Sequence, residues 1–459
     1  MKKKVFGVLL LMETVFLLLS AIIALCYGEG DFTPLLTATA ICAIAGVSLF
    51  LPNRKKVSTL YRKDCYIIIS GVWIVFSMFG MIPFLLYGSV DTVADAFFET
   101  MSGFTTTGAT VMNNIDEQPH GLLFWRSMLQ WLGGLGIMLF SIALLPTFNR
   151  NSKQLFSTEA ASISASRVKA KAQETARGIL VIYTLLTIVC TICYFIGPMS
   201  WFDAICHSMT TLGTGGFSTH QASIAYFQSP YLEYVCSIFM FLSGINFALY
   251  FFAMIGNWTP FKTNEEFHWY CWATLFFVFL FFAIFLLNPN DAVNPQVPVD
   301  AEDCFRTALF HVTSIFTSAG FQSSFCDYNV WGASFWMPTM LLMVSGACAG
   351  SSSGGLKLIR FIICFKNMRN EFMLHKHPNA VVPVKISRRI IDQTMVSRTL
   401  AFIYIFMIVM VIGTFLLSVF GMDFDTALGS CISAISNTGP GFGQTGPYTT
   451  YADIPEACK

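Results

Sequence analysis

Long apolar runs separated by short polar connections recur along the whole chain. A run of about 20 apolar residues can cross the hydrocarbon core of a bilayer as one helix. By that criterion nine spanning segments are predicted, near residues 5–27, 34–52, 65–88, 120–146, 178–198, 231–256, 268–288, 334–364 and 397–420. Only the eighth of them reads as interrupted. The pattern predicts an all-α membrane protein that crosses the bilayer many times.

Four further segments are semi-polar, too short to span a membrane alone, and end in clusters of Gly, Thr and Ser. They lie near residues 92–110, 201–218, 303–322 and 424–442. Irregular backbone at membrane depth is tolerated only where it lines a cavity or is buried in protein. Each segment is therefore predicted to be a re-entrant hairpin, with a half-helix entering the membrane and an extended strand leaving it.

The four hairpins form an internal repeat, because they align without a gap on one glycine each. The aligned glycines are Gly108, Gly216, Gly320 and Gly439. The sixth residue before each glycine is Ser or Thr, namely Ser102, Thr210, Ser314 and Ser433. Successive glycines lie roughly 105–120 residues apart, which leaves room for a spanning helix on each side of the hairpin. Four such units predict pseudo-fourfold symmetry around a central axis.

The composition excludes a soluble enzyme and gives no support to nucleic-acid binding. Of the 459 residues, 55% are hydrophobic and 12% are charged, and the mean hydropathy is +0.62. Soluble proteins are about one-quarter charged. The 27 basic and 26 acidic residues nearly cancel, so no phosphate-binding surface is indicated. The 14 Cys lie mostly in apolar stretches, where a thiol behaves as a small buried apolar group.

Basic residues cluster in alternate connections, which predicts the orientation of the chain. By the positive-inside rule these connections face the cytoplasm, as does the N-terminus. They carry Lys2, Lys3, Lys4, Arg54, Lys55, Lys56, Arg62, Lys63, Arg150, Lys153, Arg167, Lys169, Lys171, Arg177, Lys366, Arg369, Lys376, Lys385, Arg388 and Arg389. The opposite connections hold mostly Asp and Glu. Each acidic residue can simply be solvated, but together they would concentrate cations at the mouth of a pore.

The hairpins predict a cation site built from backbone rather than from side chains. The C-terminal end of a helix carries about half a negative charge, so four converging half-helices present roughly two negative charges without a buried carboxylate. Glycine at the turn allows dihedrals that direct carbonyl groups inward. Rings of backbone carbonyls replace the hydration shell of the ion in potassium filters.

A dense run of Gly and Ser interrupts the second spanning helix of the third unit, at residues 345–355. Each Gly costs about 0.5–1 kcal/mol of helix stability relative to Ala, so the helix is predicted to open here and to line the pore. A flexible hinge or a close-packed helix surface is the alternative. The candidate gate residues are Gly346, Gly350, Ser351, Ser352, Ser353, Gly354 and Gly355.

The chain resembles the Trk and Ktr potassium transporters, to which the plant high-affinity transporters are related. The resemblance covers nearly the whole sequence and is carried by Thr106–Thr110, Thr214–Thr219, Thr317–Phe321, Asn437–Gly441, Trp125, Arg126 and Gln130–Gly136. Two helices before the first repeat suggest the TrkH-type branch, because the Ktr branch lacks them. The interrupted segment at 345–355 then corresponds to an intramembrane loop that closes the pore beneath the filter.

The resemblance implies potassium uptake across a bacterial inner (plasma) membrane by a homodimer with a cytoplasmic TrkA-type regulatory ring. It implies no covalently bound cofactor, a potassium ion in the filter, and nucleotide bound only through the regulatory partner. The predicted filter residues are Thr106, Thr107, Gly108, Thr214, Gly215, Gly216, Ser318, Ala319, Gly320, Asn437, Thr438 and Gly439. The backbone carbonyls expected to bind potassium are those of Thr107, Gly215, Ala319 and Thr438, together with those of the glycines.

The repeat and the resemblance together divide the chain into an N-terminal pair of helices and four units. The expected boundaries are 1–58 for the two helices, then 59–150, 151–262, 263–370 and 371–459 for units 1 to 4. Only twenty residues without an apolar run follow Gly439. The fourth unit is therefore expected to lack its inner helix, as in a truncated form of a longer protein.

Several alternatives remain open at this stage. A membrane-embedded enzyme is disfavoured, because the sequence has no metalloprotease, nucleophile-elbow or phosphate-loop motif. A sodium- or ammonium-permeable relative is the alternative within transport, although plant relatives that prefer sodium carry Ser where Gly108 stands. Channel-like and ion-coupled transport are not distinguished. Arg126 either lines the ion path or snorkels to the membrane surface, with a structural role favoured, and Gln130 and Asn246 are expected to bridge helices.

Overall fold

Helices provide nearly all of the regular structure of the computed structural model, which describes residues 2–54, 62–144, 168–287, 300–325, 327, 329, 331 and 333–459. In chain order they are α1 (Lys2–Tyr27), α2 (Phe32–Phe50), α3 (Arg62–Gly80), α4 (Ile82–Tyr87), α5 (Val93–Phe104), α6 (His120–Leu144), α7 (Val168–Ile196), α8 (Trp201–Gly213), α9 (Pro230–Ser243), α10 (Phe247–Met254), α11 (Thr259–Thr263), α12 (Glu265–Leu287), α13 (Ala301–Phe316), α14 (Ala333–Ser345), α15 (Leu358–Lys376), α16 (Gln393–Val419) and α17 (Phe424–Ser436). A short antiparallel ribbon pairs β1 (Lys385–Ile386) with β2 (Arg389–Ile390).

Six of the described helices are long and apolar enough to cross a membrane, judged by length and composition. They are α1, α2, α3 continued by α4, α7, α12 and α16. The predicted span 120–146 is a single helix as far as Leu144, and the predicted span 334–364 is divided between α14 and α15. The apolar pattern therefore located the helices well, but it did not show which of them are continuous.

The expectation that only one spanning segment is broken is wrong. The predicted span 231–256 consists of α9 and α10, whose axes meet at 89°. Asn246 caps α10, because its side-chain oxygen accepts a hydrogen bond from the N–H of Ala248 at 2.9 Å. A single Gly-Ile-Asn stretch between apolar runs is a weak signal, but Asn is among the residues that begin helices most often.

Buried apolar side chains gather in two main clusters. One joins the N-terminal helices α1 and α2 to α3, α5 and α6, around residues such as Leu17, Leu35 and Trp125. The other extends over the helices from α7 through α17 and includes Tyr183, Phe281 and Phe310. The N-terminal pair thus packs on the outside of the first hairpin and its following helix.

Four short helices, α5, α8, α13 and α17, occupy the places of the predicted half-helices. Three begin with a side-chain cap, since Thr92, Ser200 and Asp423 each accept a hydrogen bond from an N–H in the first turn. Such caps satisfy donors that the first turn of a helix leaves free. Each short helix is followed by an extended segment, so the chain reverses direction at the C-terminal end of the helix.

Several sequence predictions lie outside the described residues. The basic residues Lys55, Lys56, Arg150, Lys153 and Arg167 are among them, as are the expected boundaries at 58/59 and 150/151. Residues 440–459 are described, and they form turns with one short 3₁₀ helix at Gly443–Thr445.

The close approach of α1 and α2 provides a stability test. A Cβ atom on Gly7 would lie 2.7 Å from the backbone nitrogen of Phe50, whereas a Cβ atom on Gly136 in α6 would meet no described atom within 4 Å. Overpacking of this kind typically costs about 1–3 kcal/mol. We expect Gly7→Val to lower the midpoint of thermal unfolding in detergent and Gly136→Val to leave it nearly unchanged. Equal midpoints for the two variants would contradict the packing described here.

Candidate functional site

The four extended segments share one backbone conformation. We call residues 105–110, 214–219, 317–322 and 437–442 segments 1 to 4. In each, the N–H of the residue before the aligned glycine donates to the carbonyl five residues earlier, over 2.8, 2.9, 2.8 and 3.0 Å. These bonds join Thr107 to Ser102, Gly215 to Thr210, Ala319 to Ser314, and Thr438 to Ser433.

Left-handed and ordinary dihedrals alternate along each segment. The second residue before the glycine has a positive φ, with values of 62°, 53°, 54° and 61° for Thr106, Thr214, Ser318 and Asn437. The glycines follow with φ of 85°, 73°, 72° and 101° for Gly108, Gly216, Gly320 and Gly439. A positive φ is a genuine outlier for a β-branched residue such as Thr106, and strain of this kind clusters at functional sites. The sequence did not predict this strain.

The segments meet in a closed cycle. A Cβ atom on any of the four glycines would come within 3.0 Å of a carbonyl oxygen of another segment. The facing pairs are Gly108 with Gly215, Gly216 with Ala319, Gly320 with Thr438, and Gly439 with Thr107. Only glycine permits this approach. The structure therefore brings the four carbonyls predicted for potassium into one ring, which we call the carbonyl ring.

Most carbonyls at this level have no protein partner. Within the described parts of the chain, no group donates a hydrogen bond to the carbonyl oxygens of Thr107, Ala319, Thr438, Gly108, Gly216 or Gly320. Buried backbone carbonyls are normally paired, so these groups need a partner that is not part of the protein. Their partial negative charges and the C-terminal ends of the four short helices favour a cation.

Gln130 supports segment 2 from behind the ring. Its Nε2 donates to the carbonyl of Gly215 at 2.8 Å, and its Oε1 accepts from the N–H of Phe217 at 3.0 Å. Gln130 therefore bridges α6 and a segment, rather than two helices.

Asn437 joins segment 4 to segment 1. Its Nδ2 donates to the carbonyl of Thr105 at 2.8 Å, and its Oδ1 accepts from the hydroxyl of Thr107 at 2.5 Å. Asn437 thus joins segments 1 and 4, and it is the only one of the four residues at the second position before the glycine that is neither Ser nor Thr.

Arg126 is buried and does not reach a membrane surface, since only 2% of the residue is exposed. Its Nε pairs with Oε1 of Glu99 at 2.6 Å, its NH1 donates to the carbonyl of Ser218 at 2.9 Å, and it lies over the ring of Phe217. Glu99 also accepts a hydrogen bond from the N–H of Val111 at 2.9 Å. The pair therefore fastens segment 2, and the chain just beyond segment 1, from outside the ring.

A second buried ion pair was not predicted. Nε of Arg306 lies 2.6 Å from Oε2 of Glu233, whose other oxygen accepts from the N–H of Ser324 just beyond segment 3. Arg306 was noticeable in the sequence as one of the few basic residues among the acidic connections. A basic residue among acidic connections is a signal for an acidic partner, but only the fold shows that Glu233 on α9 is one.

Polar residues next to segment 2 form a third support. Nε2 of His207 lies 2.9 Å from the hydroxyl of Ser218, and the hydroxyl of Thr219 donates to Asp203 at 2.6 Å. Burial opposes ionisation of Asp203, but the imidazole of His220 at 3.6 Å and hydrogen bonds from Thr219 and Ser200 outweigh it and lower the pKa of that carboxyl. Burial likewise disfavours protonation of His220, but Asp203 and Asp116 outweigh it and raise the pKa of the imidazole. His311 is elsewhere, 3.0 Å from the hydroxyl of Thr339.

The predicted gate residues lie in the connection between α14 and α15, residues 346–357, which we call the α14–α15 loop. It lies against the C-terminal ends of three short helices. The hydroxyl of Ser352 donates to the carbonyl of Leu212, the N–H of Gly354 donates to the hydroxyl of Ser318, and the N–H of Gly355 donates to the carbonyl of Ser436. Ser318 belongs to a segment, so the loop directly adjoins the predicted filter.

The same loop is fastened to the bend between α9 and α10. The N–H of Cys348 donates to the carbonyl of Gly244, and the N–H of Phe247 donates to the carbonyl of Gly350, each at 3.1 Å. Glu266 on α12 accepts from the N–H of Ala349 at 2.7 Å. The two broken helices therefore satisfy each other's free backbone groups.

The chain is similar in sequence and structure to Trk system potassium uptake proteins. The family model described as "TrkH: Cation transport protein" matches residues 34–458. The chain is 33% identical over 466 residues to the Trk system potassium uptake protein TrkH of Halomonas elongata, covering 99% of this chain and 93% of that protein. It is 32% identical over 444 residues to the protein of the same name in Escherichia coli K12, covering 96% and 90%. The crystal structure of the potassium transporter TrkH from Vibrio parahaemolyticus is similar with a TM-score of 0.88 and 30% identity, covering 99% and 93%.

The buried pair of Glu99 and Arg126 gives a test of the supports. Arg126→Met leaves the carboxylate of Glu99 buried without its cation, which typically costs about 3–5 kcal/mol. We expect the unfolding midpoint in detergent to fall sharply, and Glu99→Gln in the same chain to restore part of the loss. If the single and double variants unfold at the same temperature, the pair does not hold the segments as described.

Proposed function

Since this chain belongs to the TrkH family of cation transport proteins, and is a multi-pass membrane transporter and not an enzyme, we propose that it takes up potassium through the carbonyl ring. The closed cycle of segments 1 to 4 is the observation that carries the proposal. It offers four backbone carbonyls at one level, contributed by Thr107, Gly215, Ala319 and Thr438, and three of them lack a donor among the described residues. A dehydrated potassium ion would supply the missing partner.

The proposed architecture is four units around that ring, of which units 1 to 3 consist of a spanning helix, a hairpin and a spanning helix, and unit 4 of a spanning helix and a hairpin. Units 1 to 4 take residues 59–150, 151–262, 263–370 and 371–459, with residues 1–58 as an additional helix pair. The equivalent hydrogen bonds and dihedrals of the four segments support this division. A pseudo-fourfold arrangement places equal dipoles around an ion, so no side-chain charge is needed at the ring.

The proposed location is a bacterial inner membrane with the N-terminus in the cytoplasm. Basic residues of the connection between α15 and α16 support that orientation, since Lys376, Arg388 and Arg389 are exposed. A homodimer with a TrkA-type cytoplasmic partner that binds nucleotide is part of the proposal. The partner would dock on this basic surface.

The proposed gate is residues 345–355, which comprise the last residue of α14 and most of the α14–α15 loop. The loop joins three of the short helices to the bend between α9 and α10, and Gly346, Gly350 and Gly355 all have positive φ. For the ion path to open, the hydrogen bonds at both edges of the loop would have to break and be replaced by others. A regulatory partner would bias that exchange through α15, which leads directly to the basic connection.

Substitution at one glycine tests the ring. A side chain on Gly108 would collide with the carbonyl of Gly215. Gly88 has nearly the same φ, 84°, but a Cβ atom there would have no neighbour within 4 Å in the described part of the chain. We expect Gly108→Ser to lower the ratio of rubidium to sodium uptake in proteoliposomes at least about tenfold, equivalent to about 1.4 kcal/mol. Gly88→Ser carries the same backbone strain and should leave the ratio unchanged.

Two outcomes of that assay would count against the proposal. An unaltered ratio in Gly108→Ser would show that the carbonyl ring does not select the ion. If the parent protein preferred sodium or ammonium over rubidium, the transported ion would be sodium or ammonium rather than potassium.

Shortening the α14–α15 loop tests the gate. Deleting residues 350–353 removes its contacts with Leu212 and Phe247, so rubidium flux without a regulatory partner should rise several-fold. Deleting residues 377–380, an exposed turn of the same length, is the matched control and should leave flux unchanged. Unaltered flux in a folded 350–353 variant would place the gate elsewhere.

A further inference from the structure

Segment 4 departs from segments 1 and 3 immediately after the carbonyl ring. In segments 1 and 3 the hydroxyl six residues before the glycine donates to the carbonyl one residue after it, from Ser102 to Ala109 at 2.6 Å and from Ser314 to Phe321 at 2.8 Å. In segment 4 Ser433 donates instead to the carbonyl of Gly439 itself, at 2.7 Å. In segment 4 the acceptor of this hydroxyl is therefore the carbonyl of the glycine, whereas in segments 1 and 3 it is the carbonyl of the next residue. In segment 2 the corresponding hydroxyl, that of Thr210, bonds within its own helix.

A second donor reaches the same oxygen. The hydroxyl of Tyr451 donates to the carbonyl of Gly439 at 2.9 Å, so both lone pairs of that oxygen are used. The corresponding carbonyls of Gly108, Gly216 and Gly320 accept no hydrogen bond within the described residues. The difference begins after Thr438, because up to that residue the four segments make the same backbone hydrogen bond.

Tyr451 is held in place by several independent contacts. Its N–H donates to the carbonyl of Thr110 at 2.8 Å, and its ring lies 5.5 Å from that of Phe98. Beyond it, Lys459 pairs with Asp95 at 2.7 Å. Only 8% of Tyr451 is exposed. The hydroxyl is therefore fixed between unit 1 and segment 4 rather than free to rotate into water.

From this arrangement we infer that Tyr451 is a positioning residue that keeps the carbonyl of Gly439 turned away from the ion. The level of the filter formed by the four glycine carbonyls then offers three oxygens, from Gly108, Gly216 and Gly320, and an open fourth side. An ion at this level keeps water on that side and becomes fully dehydrated only at the carbonyl ring. Tyr451 thereby weakens ion binding at the glycine level relative to the ring.

The inference rests on the proposed function and predicts a specific change in affinity. Tyr451→Phe removes one of the two donors and frees the carbonyl of Gly439 to turn inward, and adding Ser433→Ala removes the other. We expect the half-saturation concentration for rubidium uptake to fall about three- to tenfold, the range set by one neutral hydrogen bond, with the larger change in the double variant. Rubidium should also protect Tyr451→Phe against thermal unfolding at lower concentrations than it protects the parent.

Tyr448→Phe is the matched control. Tyr448 lies in the same terminal region and its hydroxyl also donates to a backbone carbonyl, that of Ser323, which is outside the glycine level. Its half-saturation concentration and its protection by rubidium should equal those of the parent.

The outcomes separate this inference from the proposed function. If the parent binds and transports rubidium but Tyr451→Phe has the same half-saturation concentration and protection curve, the inference fails and the proposed function stands. If Tyr451→Phe only lowers the unfolding temperature, with unchanged or weaker rubidium affinity, Tyr451 is structural and the inference also fails. If the parent neither binds nor transports rubidium, both are wrong.

Discussion

Backbone carbonyl groups without a protein donor are the constraint on which the rest of this structure depends. At the meeting point of the four segments, three of the four carbonyls of the ring have no donor in the described chain. Unpaired carbonyl groups are costly where they are buried, as at Ala319 and Thr438, so a cation or water in the centre would stabilise the arrangement. Glycines at Gly108, Gly216, Gly320 and Gly439 allow the close approach. Thr106 and Thr214 adopt strained left-handed conformations, which the surrounding packing must hold in place.

Formal charges stay behind the ring and hold its backbone in position. The pairs Glu99 with Arg126 and Glu233 with Arg306 are buried, and each contacts the chain in or just beyond a segment. A buried pair of this kind contributes little net stability but is expensive to break, so it favours one arrangement of the backbone. In the proposed function, ion selection is then left to the backbone dipoles of the four segments, and the charged side chains contribute rigidity.

One glycine at a fixed distance from one hydroxyl recurs four times in the sequence, and the four segments located in this way contact one another in the structure. The hairpin architecture and the filter role of the twelve residues stay predictions. The sequence did not predict the positive φ of Thr106, since β-branched residues rarely adopt it and only the closed cycle demands it. The bend at Gly244–Asn246 was missed because its flanks are apolar, and its backbone is satisfied by a loop about 100 residues away. The Glu233 to Arg306 pair is likewise a long-range contact that local patterns do not encode. The sequence revealed the Gly and Ser run that includes Ser352 and Gly354, but it did not reveal the contacts that these two residues make.

The central claim is that one cation is held by the carbonyls of Thr107, Gly215, Ala319 and Thr438. Anomalous diffraction from crystals grown with rubidium or thallium would locate the ion directly. The account predicts a peak on the axis of the carbonyl ring, within coordination distance of all four oxygens. A site occupied instead at an acidic side chain, with no anomalous peak at the ring, would contradict it.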